Sequence, residues 1–158
     1  MMSASNTRKF MALAGFTLLC LAIGGLGGLA TAKSVTTWYP TLIKPSFNPP
    51  SWVFAPVWTS LYIMMAFAAW RIWLKQGFGK PLYVWSAQLA LNCLWSFLFF
   101  ALQSPGWAML DIIPLLALIL VTIRLFWPID RLAGLLLMPY AAWVSFASLL
   151  NFSIWWLN

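Results

Sequence analysis

Three sets of aromatic and carboxamide side chains recur at the spacing of a helix face. Phe54, Trp58 and Tyr62 lie four apart. Trp85, Gln88, Asn92, Trp95 and Phe99 fall on a second stripe, and Tyr140, Trp143, Ala147 and Asn151 on a third. Residues three or four apart share a face. Rings accompanied by a few amides can stack a flat apolar molecule and hydrogen-bond its edge. The same side chains can also serve packing alone, with Gln88 and Asn92 as interhelical ties worth about 0.6–2 kcal/mol. Membrane helices usually meet through small residues. Large rings on several helices hold them apart, and the space left has the general form of a small-molecule site.

Other chemistry is scarce. The chain has no histidine, so it lacks the usual general base and the usual axial haem ligand. Cys20 and Cys93 lie inside apolar runs without a C-x-x-C partner, and no metal motif is present. Asp111 and Arg124 share one apolar run, 13 residues and about 20 Å apart along a helix, too far to pair. Arg124 is expected to snorkel to the interface, and Asp111 to cap a neighbouring loop or helix end.

The elements that carry these residues follow from composition. Of 158 residues, 63% are hydrophobic and 7% charged, too little charge to cover a water-facing surface. The length suits one domain, residues 1–158. Five apolar runs reach the ~20 residues needed to cross a bilayer: 10–30, 51–74, 82–102, 107–127 and 132–156. Runs such as "IIPLLALIL" do not alternate as barrel strands do, so the fold class is all-α, an integral membrane bundle of five helices. The first run could be a signal peptide ending at "ATA", but its length favours a retained helix.

Net charge is +7, with the cations scattered between apolar runs. That pattern argues against nucleic acid, which needs a clustered basic face. Arg8, Lys9, Arg71, Lys75, Lys80, Arg124 and Arg131 fall on one side of the expected membrane; only Lys33 and Lys44 fall on the other. The N-terminus is therefore expected to be cytoplasmic and the C-terminus outward. Most tryptophans sit at run ends as an interfacial belt, whereas Trp58, Trp85, Trp95 and Trp143 lie deeper. Gly24 and Gly28 have the spacing of close helix contact, which fits a neighbouring helix or another subunit, with internal packing the favoured expectation. Pro56, Pro114 and Pro139 are expected to kink their helices. In the outer loop, 31–50, "KPSFNPP" is stiffened by proline, and Trp38 and Tyr39 are placed to cover the bundle's mouth.

The stretches "WYPTLIKPSFNPPSWVFAPVWTSLY", "WSAQLALNCLWSFLFF" and "MPYAAWVSFASLLN" resemble the translocator protein / tryptophan-rich sensory protein family, also called the peripheral benzodiazepine receptor family. The resemblance covers nearly the whole chain. It implies five transmembrane helices with a ligand pocket opening toward the first loop. It also implies binding of porphyrins or haem as ligands, of benzodiazepine- and isoquinoline-type compounds and of sterols, and a homodimer. No cofactor is required. Carried over by motif, the ligand-binding positions are Trp38, Phe54, Trp58, Tyr62, Gln88, Asn92, Trp95, Trp143, Ala147 and Asn151. Gln88 and Asn92 would donate to porphyrin carboxylates. No Lys or Arg follows Tyr140, so the sterol-associated pattern is missing and sterol binding is expected to be weak. The expected role is a receptor-like binder in tetrapyrrole handling or stress sensing. A light-assisted porphyrin-degrading enzyme and a porphyrin or sterol transporter are the alternatives. The sequence shows no acid–base pair, nucleophile or internal repeat for either.

Overall fold

The computed structural model describes residues 4–158; residues 1–3 of the expected 1–158 domain lie outside the described residues. Among the described residues every regular element is helical: α1 (Ala4–Thr37), α2 (Phe54–Gln76), α3 (Lys80–Ser96), α4 (Pro105–Phe126), α5 (Arg131–Leu136) and α6 (Met138–Leu157). Five stretches are long and apolar enough to cross a membrane, with α5 and α6 forming the last. The chain is an all-α, multi-pass bundle.

Boundaries depart from expectation where local chemistry decides them. The first helix runs well past residue 30, because nothing in "TAKSVTT" breaks a helix. Thr36 and Thr37 hydroxyls donate to the carbonyl of Lys33, and the chain turns only at Pro40. The outer loop is shorter as a result. Pro56 does not kink α2: it lies in the first turn, where a missing N–H is harmless. Pro139 does interrupt the last span, since it cannot donate to the carbonyl of Leu135, and α5 gives way to α6 at Leu137. Pro114 is interior to α4.

At its far end α3 widens into a π-helical turn over Phe97–Ala101, closed by the Leu102 N–H on the carbonyl of Phe97 at 2.8 Å. Such turns leave a carbonyl free. Here Ser34 of α1 donates to Phe100 O at 2.6 Å and ties α1 to α3.

The solid core fills the end of the bundle where α1 begins. Met65, Ala68, Ala69 and Ile72 of α2 are fully enclosed, with Trp85 of α3, Ile119 of α4 and Tyr140 of α6 beside them. Trp85 packs edge-on against Phe16, with ring centroids 5.8 Å apart. Gly24 serves internal packing as expected. A Cβ there would sit 2.8 Å from the Tyr62 ring. Its companion is Gly27, whose Cβ would meet Ser96 Oγ at 3.0 Å, whereas Gly28 faces open space. Gly24→Ala should therefore lower the thermal midpoint in detergent, and Gly28→Ala should leave it unchanged.

The capping acid is Asp130, not Asp111. Asp130 accepts from the Ala133 N–H at the start of α5, from Arg71 (2.8 Å) and from Lys75 (3.1 Å). Asp111 is buried and caps nothing: no hydrogen bond reaches its Oδ2 among the described residues. Burial of the Asp130 carboxyl disfavours its charge, but hydrogen bonds from Arg71, Ala133 and Lys75 outweigh this and hold its pKa down at about 2. A carboxyl with a folded pKa below its unfolded value, near 4, stabilises the fold above that value, and the contribution is lost as pH falls through about 2. Arg71 and Lys75 are partly exposed, so screening limits it to about 1–2 kcal/mol. Asp130→Asn should lower thermal stability by that amount at pH 7. The deficit should shrink steadily between pH 5 and pH 2 in a fluorescence-monitored melt.

Candidate ligand-binding site

A cavity of about 510 Å³ occupies the half of the bundle nearer the outer loop. Its walls are mostly rings. Phe54 and Trp58 come from α2, Trp95 from α3, Phe99 from the π-turn and Trp143 from α6. These rings brace one another. Phe54 meets Trp143 edge-on at 6.0 Å, Trp58 meets Tyr140 at 6.3 Å, and Trp95 stacks on Phe99 at 5.2 Å. Helix α1 supplies the opposite wall through glycines 24, 25, 27 and 28. Gly25, Gly28, Ala55 and Thr59 line the cavity and are exposed, so it opens sideways between α1 and α2.

The floor is a chain of hydrogen bonds. Tyr62 Oη donates to Asn92 Oδ1 (2.6 Å), Asn92 Nδ2 to Tyr140 Oη (2.6 Å), and Tyr140 Oη to Gln88 Oε1 (2.7 Å). Gln88 Nε2 then points at Met65 Sδ, 3.8 Å away. All four polar residues are buried. A second tie crosses the wall: Trp95 Nε1 donates to Asn151 Oδ1, and Asn151 Nδ2 to Pro105 O, both at 2.9 Å.

The loop forms the roof. Tyr39 is buried against Phe54, Phe99 and Phe100, and its hydroxyl donates to Asn48 Oδ1 at 2.7 Å. Burial pushes that hydroxyl's pKa up, only partly offset by the bond to Asn48, so the group remains a donor. Lys44 Nζ donates to the carbonyls of Tyr39 and Leu42 and lies 4.9 Å from the Tyr39 ring centre. Asn158 clamps the loop to the end of α6, accepting from the Ile43 N–H and donating to its carbonyl.

The structure thus brings Phe54, Trp58, Tyr62, Trp95, Trp143, Ala147 and Asn151 to one cavity. Trp38, Gln88 and Asn92 do not reach its wall. Trp38 packs edge-on against Phe99 and faces a separate outer cleft beside Trp107 and Trp155. Gln88 and Asn92 are committed to the floor, which changes their expected role from contacting a ligand's carboxylates to holding helices. Trp143 Nε1 is buried with no partner among the described residues. Sequence reasoning missed the α1 wall, and it placed Tyr39 over the mouth without counting it among the ligand-binding positions. The glycine cluster carried the signal, since small residues opposite large rings leave room.

A multi-pass membrane bundle with a ring-walled, small-molecule-sized interior under a proline-rich loop is the class these features define. Residues 16–157 match the family model described as TspO/MBR family. The chain is 43% identical over 155 residues to tryptophan-rich protein TspO of Chlorobaculum tepidum, covering 96% of this chain and 98% of that one. It is 38% identical over 146 residues to translocator protein of Bos taurus (89% and 86%). It is 40% identical over 121 residues to tryptophan-rich sensory protein of Cereibacter sphaeroides (77% of each). The chain belongs to the TspO/MBR family.

Removing one hydroxyl from the floor should be felt throughout. Tyr140→Phe leaves Gln88 Oε1 and Asn92 Nδ2 unpaired, a loss of about 1–3 kcal/mol. The expected result is a lower thermal midpoint, with a larger drop than for Phe146→Leu, a half-buried ring that packs on Phe47.

Proposed function

We propose that the protein is a receptor-like membrane binder of planar hydrophobic ligands, tetrapyrroles above all, in tetrapyrrole handling or stress sensing. The observation that carries this reading is the cavity itself. Its volume falls within the 300–1,000 Å³ of small-molecule sites. Its walls are aromatic, with Trp58, Trp95 and Trp143 all lining it. A flat macrocycle would stack between Trp58 and Trp143. Aromatic compounds of the benzodiazepine and isoquinoline type would use the same rings. The side opening between α1 and α2 admits a ligand dissolved in the bilayer, and the clamped loop keeps it from water. The homodimer and the cytoplasmic N-terminus expected from resemblance and charge belong to the same reading.

No charged side chain lines the cavity among the described residues, so affinity is expected to vary little with salt. Titrating protoporphyrin into the detergent-solubilised protein and following its main visible band tests the assignment. Trp143→Phe keeps a ring, so affinity should fall less than when the ring is removed. Trp58→Ala with Trp143→Ala should reduce it by well over tenfold. Undiminished affinity in the double variant would sink the assignment.

A further inference from the structure

The end of the bundle opposite the loop carries more positive charge than the protein can neutralise. Arg8, Lys9, Arg71, Lys75, Lys80, Arg124 and Arg131 lie there, where α1 and α3 begin and α2 and α4 end. The chain has two acidic side chains. Asp130 is taken by Arg71 and Lys75. Asp111 is about 20 Å along α4 from Arg124. The remaining cations have no carboxylate to meet.

One of them stands beside a groove. Leu120, Val121, Ile123, Arg124, Trp127 and Pro128 border an open depression of about 620 Å³ at the end of α4. Leu120, Val121, Arg124, Trp127 and Pro128 are all exposed and recur at three- and four-residue spacing, so they form one outward strip. Arg124 has no hydrogen bond or ion pair among the described residues. Trp127 is steadied from behind, where a Cβ at Gly134 would lie 2.8 Å from its ring, yet it remains 40% exposed.

These parts match a molecule with an anionic head and an apolar tail. A guanidinium engages phosphate oxygens in pairs. An indole sits at headgroup depth. The aliphatic side chains one turn deeper favour an acyl chain. We propose that this groove binds an acidic phospholipid, with the headgroup phosphate on Arg124 and Trp127 and an acyl chain along Leu120, Val121 and Ile123. The excess of unpaired cations at this end selects an acidic headgroup over a zwitterionic one.

Native mass spectrometry of the full chain tests this. The protein is released from neutral detergent after incubation with equal amounts of phosphatidylglycerol and phosphatidylcholine of matched chains. Wild type should retain phosphatidylglycerol in preference. Arg124→Gln should reduce that adduct about fivefold, the effect of one interfacial charge, while Arg124→Lys should keep most of it. Lys33→Gln removes the same charge at the other end of the bundle and should change nothing. Equal losses in Arg124→Gln and Lys33→Gln, or equal retention of the two lipids by wild type, would overturn the proposal. So would displacement of the lipid by millimolar inorganic phosphate, which would make free phosphate the ligand. Protoporphyrin affinity should be the same in Arg124→Gln as in wild type, which separates this groove from the cavity.

Discussion

In a bilayer a polar side chain has no water to fall back on, and each unpaired group there is expensive. The buried chain from Tyr62 through Asn92 and Tyr140 to Gln88 is the answer to that constraint, and the architecture divides at it. Toward the start of α1 the interior is filled by Met65, Ile72, Leu82 and Phe126. Toward the outer loop the interior is the cavity. Because the four residues belong to α2, α3 and α6, their bonds fix how far apart those helices stand where packing gives way to open space.

Above that floor the cavity stays open because its rings brace one another. Edge-on and offset pairs at about 5–6.5 Å are the preferred aromatic geometry, and Phe54, Trp143, Trp58, Tyr140, Trp95 and Phe99 are joined in this way. Helix α1 does the reverse. Gly24 and Gly27 bring its backbone against Tyr62 and Ser96, and Gly25 and Gly28 leave gaps beside them. Rings on three helices and glycine on a fourth produce a volume that neither would produce alone. The π-turn adds to it by turning Phe99 and Phe100 toward Tyr39 while Ser34 satisfies the freed carbonyl.

The five crossings were legible in the sequence because apolar run length alone decides them. So were the faces: Phe54, Trp58, Trp95, Trp143 and Asn151 share one cavity because helical spacing is rigid. What spacing does not reveal is the partner. Gln88 and Asn92 lie on the expected face, but tertiary packing delivers two tyrosine hydroxyls to them and takes them out of the cavity wall. The capping expected of Asp111 falls to Asp130 for a similar reason. Which acid meets Arg71 depends on where the short turn before α5 lands, and no one-dimensional pattern encodes that. The long α1 was hidden because polar residues after Ala30 looked like loop, although their hydroxyls bond back to the helix.

The two ends of the bundle are held by different forces. At one end Arg71 and Lys75 close on Asp130 around the start of α5, so charge fixes the geometry. At the other, the loop is held mainly by amide and hydroxyl bonds from Asn158, Asn48 and Tyr39, with Lys44 as its cationic contact. Each such bond contributes only about 0.5–1.5 kcal/mol net, and several are exposed to solvent. Local opening begins where contacts are few and bonds are exposed. The roof is therefore the part of the cavity that yields first. The floor, whose hydroxyls and amides bond to one another and to the Met65 sulfur, gives way only when the helices themselves separate.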